Sequence, residues 1–215
     1  MPAEIVKINS DNPESSLVTY VAERIRSGHV LGMPTDTFYG LAADPFNLGA
    51  VELIYKVKSR SKHKPLSLLI DSVDQAEQLG EVEASDHFET LARKYWPGPL
   101  TIIVKAASRL PLKVTANTGN VALRVPDASI PMAVIHAARV PITATSANLS
   151  GASECTTAEC VRNQLGDRIP VIVDGGPSPR SVASTIVDLT DGGASWRVLR
   201  EGAIPTQELT ELLGP

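Results

Sequence analysis

Apolar and polar positions along the chain outline a series of alternating strands and helices. "EIVKI" (residues 4–8) reads as a short strand. In "ESSLVTYVAERIRSG", Leu17, Val18, Val21 and Ile25 recur at helical spacing, and Gly28 is a natural stop. "HVLGM" is a buried strand that runs into the polar loop "PTDTFYGLAADPFN" (residues 34–47). "LGAVELIYKVK" returns to a helical period, with Val51, Ile54 and Tyr55 on one face. "LSLLI" has the length and apolarity of a central strand. Helices are expected over Val73–Leu79 and His87–Tyr95, followed by a sharp break at "WPGPL", where Pro97 and Pro99 bracket Gly98.

The second half continues the alternation. "LTIIVKA" and "VALRVP" read as strands. "ASIPMAVIHAAR" reads as a helix that tolerates Pro131 in its first turn, and "VPITAT" as a strand opening into "SANLSG". A helix over "TTAECVRNQLG" precedes the strands "PVIVD", "STIVDL" and "SWRVLR", and "PTQELTELLG" closes the chain as a short helix. No internal repeat, low-complexity tract or long linker interrupts the series. The expected fold is therefore a single α/β domain over residues 1–215, with one twisted, open, mixed sheet and flanking helices.

Composition adds limits. Hydrophobic residues make up 43% and charged residues 20%, an ordinary globular balance over 215 residues. The formal net charge of -4 argues against a protein that coats nucleic acid through a broadly basic surface. Cys155 and Cys160 are too few to ligate zinc, and a bridge over so short an interval would constrain little. They read as plain reduced thiols, fitting a reducing compartment. The N-terminus lacks a basic segment followed by an apolar one, and no uncharged run approaches the length of about 20 residues that spans a bilayer. The expectation is a soluble cytoplasmic protein without membrane contact.

Against that acidic background, "KVKSRSKHKPLSLLI" (residues 56–70) stands out. Lys56, Lys58, Arg60, Lys62 and Lys64 place five of the 20 Lys and Arg residues within one short stretch, and no Asp or Glu falls between Leu53 and Ile70. Cations at every second position do not build a helix face. Pro65 favours an extended approach to the following strand. The run is either a solvated loop or a set of cations converging on a polyphosphate, which would carry about four negative charges as a triphosphate.

Two further segments carry polar groups at strand ends, where α/β sheets commonly bind ligands. "PTDTFYGLAADPFN" offers Thr35, Asp36, Thr37 and Tyr39, and "TATSANLSG" offers Ser146, Asn148 and Ser150. Both also suit ordinary turns and caps. None of the four histidines stands in a recognisable arrangement with Ser146, which argues against a serine nucleophile. The chain has no GxxxxGK[ST] phosphate loop, no GxGxxG after a strand, and no HExxH or paired-cysteine zinc spacing.

Seven stretches in order resemble the YrdC-like family of threonylcarbamoyl-AMP synthases: "PTDTFYGLAAD", "LIYKVKSRSKHKPLSLLI", "WPGPLTIIVKA", "VALRVPD", "ITATSANLSG", "STIVDLT" and "RVLREGAI". They run from about residue 30 to residue 204, and the most recognisable feature is Lys58-x-Arg60 together with Ser146-x-Asn148. The resemblance implies a twisted open α/β sheet around a concave basic cavity. It also implies formation of threonylcarbamoyl-AMP from L-threonine, bicarbonate or carbon dioxide, and ATP with Mg2+, releasing pyrophosphate. A separate threonylcarbamoyl-transferase complex would then act on tRNA.

By the same resemblance, Lys58, Arg60, Ser146 and Asn148 carry catalysis. Lys58, Arg60, Lys62, Thr118, Ser146, Asn148 and Arg200 bind ATP; Thr35, Arg124 and Ser184 bind threonine; and no protein metal site is expected. Arg124 could instead form a buried structural ion pair, Ser184 a cap, and Arg200 a surface cation. Departures from the family pattern are Glu201 where proline is common, "SVAST" without the acid or proline often found before its Ser-Thr pair, and Leu69 in place of a histidine. The chain is expected to lack the additional C-terminal domain of longer relatives. Two rival functions stand beside this reading. Carbamoyl transfer in hydrogenase maturation would need zinc-binding cysteine pairs and further domains. A non-catalytic RNA-binding protein with weak RNA contact would use the basic concavity alone.

Overall fold

The computed structural model describes residues 2–82, 86–192 and 195–214. The first half runs β1 (Glu4–Lys7), α1 (Ser15–Arg26), β2 (Leu31–Met33), β3 (Gly40–Ala42), α2 (Leu48–Lys58), β4 (Ser67–Leu69), α3 (Val73–Leu79), α4 (Asp86–Tyr95) and β5 (Leu100–Lys105). Then follow α5 (Leu112–Thr115), β6 (Asn120–Arg124), α6 (Ser129–Ala138), β7 (Ile142–Thr143) and β8 (Thr145–Ser146). The chain finishes with α7 (Ala158–Leu165), β9 (Val171–Asp174), β10 (Thr185–Asp188), β11 (Arg197–Arg200) and α8 (Thr206–Leu213).

The α/β class and the mixed strand directions agree with the sequence, but the strands form two hydrogen-bonded sheets instead of one. Five strands pair in the order β1-β9-β2-β3-β8, and six in the order β11-β10-β5-β6-β4-β7. The sheets meet where "ITATS" changes partner. β7 pairs with β4 of the six-stranded sheet, and β8 pairs with β3 of the five-stranded sheet. Thr143 N donates to Ala43 O at 3.0 Å, and Ala144 N donates to Ser67 O at 2.9 Å, so the backbone stitches both sheets across a single residue. Hydrophobicity alone cannot reveal such a partner change, because both halves of the run are buried.

Two elements were not legible. β3 lies inside the expected loop, and α5 is a single turn within "PLKVTA", too short to display a period.

Helix faces follow the sequence pattern. Val18, Val21 and Ile25 of α1 pack with Ile130, Val134 and Ile135 of α6 over Val6, Leu31, Val171 and Val173 of the five-stranded sheet. A larger core joins Ile54 of α2 and Leu91 of α4 to Leu68, Ile102 and Leu123 of the six-stranded sheet. Each fully buried aliphatic side chain contributes about 1.5–3 kcal/mol relative to exposure, which fixes the strands that carry the polar site.

The cysteines depart from expectation. Cys155 and Cys160 form a disulfide with their Cα atoms 5.4 Å apart. Thr157 caps α7 by accepting from Cys160 N at 3.2 Å, and the turn at that cap brings Cys160 back against Cys155. The inference of a reducing compartment from separate thiols therefore falls.

Candidate active site

A cavity of about 370 Å³ lies over one face of the six-stranded sheet. Its wall takes alternate residues from successive strands: Ser67 and Leu69, Thr101 and Ile103, Ala122 and Arg124, then Ser184 and Ile186. This spacing is the period-two alternation of strand side chains. Thr35, Thr37, Tyr39, Arg60, Lys64, Ser146, Glu154 and Arg200 contribute from loops and strand ends.

The cationic side begins with how α2 starts and stops. Asn47 Oδ1 accepts from Gly49 N and Ala50 N, both at 3.1 Å, and starts the helix. At the other end Ser59 adopts a left-handed backbone (φ 52°), and Arg60 N bonds back to Tyr55 O at 2.9 Å. That stop turns Lys58 inward and brings Arg60 to the cavity wall.

Lys58 is 1% exposed. Its Nζ donates to Ser146 O, to Asn148 O at 2.8 Å and to Asn148 Oδ1 at 3.0 Å, so three acceptors enclose its three N–H groups. Ser146 Oγ donates to Asn148 Oδ1 at 2.6 Å, and Asn148 Nδ2 donates to Ala152 O at 2.6 Å. Lys58 and Asn148 thus stand behind Ser146 and set the shape of its loop, while Ser146 faces the cavity. Burial, with Arg60 nearby and Glu154 opposing, lowers the Lys58 ammonium to about 8. Arg60 Nη2 donates to Pro65 O at 3.1 Å, whereas its buried Nε has no partner. An unpaired buried guanidinium nitrogen at a cavity wall favours an incoming acceptor.

The opposite side is built around Asp36. Arg124 Nη2 pairs with Asp36 Oδ1, Arg124 Nη1 donates to Thr37 Oγ1 at 3.0 Å, and Arg124 Nε donates to Gly98 O at 2.9 Å. Arg180 holds the other Asp36 oxygen at 3.1 Å. The "WPGPL" break gains a purpose here: it presents the Gly98 carbonyl to Arg124. A Cβ on Gly98 would lie 2.5 Å from Tyr95 O, so the turn needs glycine. Arg124 therefore forms a buried ion pair and also lines the cavity.

Arg200 Nε and Nη2 donate to Ser184 O at 3.2 and 2.9 Å, and Ser184 Oγ lies 2.8 Å from Thr101 Oγ1. Thr185, the next residue, points the other way. Its Oγ1 donates to Ile204 O at 2.7 Å and accepts from Gly202 N at 2.9 Å, tying the chain after β11 beneath β10. Burial lowers the ordinary values of Arg60, Arg124 and Arg200, so all three guanidinium charges are partly desolvated. An arriving anion relieves that condition.

The cavity therefore unites Thr35, Arg60, Arg124, Ser146, Ser184 and Arg200. It leaves out Lys62, which pairs with Glu52 at 3.5 Å, and Thr118, whose Oγ1 donates to Thr115 O at 2.7 Å on the turn after α5. Sequence reasoning did not single out Lys64, Thr101, Glu154 or Arg180. Lys64 belonged to the basic run and Thr101 was a hydroxyl in an apolar strand; Glu154 and Arg180 carried no signal. Among the described residues, no group of three or more His, Cys, Asp or Glu could hold a metal ion, and no helix is long and apolar enough to cross a membrane.

An α/β fold with a cavity lined by Arg60, Lys64, Arg124 and Arg200 defines a protein built to hold an anionic ligand. The family of Sua5, YciO and YrdC proteins, described as "Telomere recombination", matches residues 23–202, and the chain belongs to this family. Threonylcarbamoyl-AMP synthase of Pyrococcus abyssi is 36% identical over 192 residues, covering 88% of this chain and 55% of the relative. The enzyme of the same name from Bacillus subtilis is 36% identical over 210 residues, covering 97% of this chain and 59% of the relative. The crystal structure of P. abyssi Sua5 complexed with L-threonine superposes with a TM-score of 0.92 at 33% identity, covering 98% of this chain and 61% of that one. The chain thus spans less than two thirds of the length of these relatives.

Proposed function

We propose that the protein is a threonylcarbamoyl-AMP synthase. The observation that carries this reading is the convergence of Arg60, Lys64, Arg124 and Arg200 on one cavity, with Ser146 held in place by Lys58. L-Threonine condenses with bicarbonate or carbon dioxide to give an N-carboxylate. An oxygen of that carboxylate attacks the α-phosphorus of ATP, the bond to the β-phosphate oxygen breaks, and pyrophosphate leaves. Nucleophile and leaving group are both anions, so positioning and charge neutralisation carry the catalysis.

Arg60, with its unpartnered Nε, and Lys64 face the polyphosphate in this reading, and Ser146 contacts the nucleotide. Arg200 and Ser184 form a second set of donors, and Arg124 has two N–H groups beyond its three internal bonds to offer a threonine carboxylate. Lys58 and Asn148 are positioning residues. Magnesium enters as part of the nucleotide substrate. The product passes to a transferase complex that acts on tRNA, in the cytoplasm where ATP and tRNA meet.

Pyrophosphate release by the purified protein with magnesium-ATP tests the reading. Release that requires both L-threonine and bicarbonate is expected, and Arg60→Ala should lower it at least about a hundredfold. Background release under every condition, with salt-sensitive RNA binding retained, would point to the RNA-binding alternative.

A further inference from the structure

Glu154 is out of keeping with the rest of its cavity. It is the one carboxylate among the described residues that line it, and it makes no hydrogen bond or ion pair among the described residues. Its field reaches Lys58 and Arg200 and favours their charged forms. The Asp36 carboxylate, by contrast, is consumed by Arg124 and Arg180. An unpaired carboxylate facing a polyanion would repel it unless a cation lies between.

The loop that carries Glu154 is firmly held. Cys155 O accepts from Tyr39 N at 2.8 Å, Gln164 Nε2 donates to Ser153 O at 3.0 Å, and the Cys155–Cys160 disulfide joins the loop to α7. The carboxylate is thus exposed to solvent on a backbone with little freedom. Arg60, which lines the same cavity, keeps an unpartnered Nε.

We propose that Glu154 is the protein's own ligand to the divalent cation carried by the nucleotide phosphates. Magnesium is typically held by one or two carboxylates together with substrate phosphates and water, not by an all-protein cage. One carboxylate at the mouth of a cavity lined by phosphate-binding cations meets that requirement, and no larger acidic cluster is needed. The inference rests on the synthase reading of the cavity, and assigns within it a residue that neither of the two sequence motifs contains.

The test is calorimetric binding of a non-hydrolysable ATP analogue to the wild type, Glu154→Gln and Glu154→Asp across a magnesium titration and in a chelator. A metal ligand predicts that Glu154→Gln needs roughly tenfold or more magnesium to reach half-maximal nucleotide binding. The aspartate variant should recover part of the loss, and binding in the chelator should be unchanged or tighter. If Glu154→Gln binds the analogue as well as or better than wild type at every magnesium concentration, Glu154 is no ligand, while the synthase reading stands. If the wild type binds no nucleotide with or without magnesium, both fall together.

Discussion

At the scale of single residues, the site depends on buried polar groups that hold one another in place. Lys58→Met would strand Asn148 O and take one donor each from Ser146 O and Asn148 Oδ1, which keep Asn148 N and Ser146 Oγ. A stranded acceptor costs about 1–3 kcal/mol when it remains buried. A loss of about 3 kcal/mol in chemical unfolding is expected, together with loss of nucleotide binding. Asp36→Asn should be comparably damaging, since it leaves Arg124 in the interior without its counter-charge; about 3–5 kcal/mol is expected.

Tyr39 gives a pH signature. Its hydroxyl donates to Gly176 O at 2.7 Å, and burial, reinforced by Asp174, pushes its ionisation up to about 12. Because the folded value lies above the unfolded value of 10.0, the folded state binds more protons between them. Tyr39's contribution is complete below pH 10, and is lost as pH rises toward 12. Tyr39→Phe should remove that part of the alkaline decline in unfolding free energy, and an unchanged slope would contradict the assignment.

At the scale of elements, the caps and turns deliver the site, and these were only partly readable from the chain. The amphipathic helices α1, α2 and α4 and the strands β4, β5 and β6 followed from periodicity, because each buries one face or both. The role of Lys58 did not follow. A run of alternating cations says nothing about which one a left-handed Ser59 turns inward, and the enclosing acceptors are 88 to 90 residues away in sequence. Lys62 and Thr118, which the resemblance ties to ATP, do not line the cavity: Lys62 pairs with Glu52 and Thr118 with Thr115 O, each just past the end of a helix. The chain just after β11 supplies a sharp test of element packing. A Cβ on Gly202 would lie 2.2 Å from Ala183 O and 2.7 Å from Ser184 O, atoms that cannot yield without moving Ser184 and its bonds to Arg200. Gly202→Ala should therefore weaken nucleotide binding about tenfold or more even where the protein folds, as measured by calorimetry.

At the scale of the whole molecule, the two sheets converge on residues 142–146, so the loop of Ser146 and Asn148 leaves from the seam itself. The six-stranded sheet supplies the floor together with Arg124 and Arg200, the segment after α2 supplies Arg60 and Lys64, and the five-stranded sheet braces the loop through β3 and β8. The net charge of -4 is compatible with an anion site because Arg60, Lys64, Arg124 and Arg200 meet at one cavity, where the local field outweighs the sum over the chain. Ligand occupancy should then stabilise the entire fold: at a hundred times its dissociation constant, magnesium-ATP is worth about 2.7 kcal/mol, visible as a raised Tm.

The most direct test of the central claim follows a labelled carbon. Wild-type protein is incubated with 13C-bicarbonate, L-threonine and magnesium-ATP, and the products are resolved by mass spectrometry. The account predicts threonylcarbamoyl-AMP carrying the label, formed in step with pyrophosphate and absent without threonine. Pyrophosphate or AMP appearing with no labelled adduct, or no nucleotide turnover at all, would contradict it.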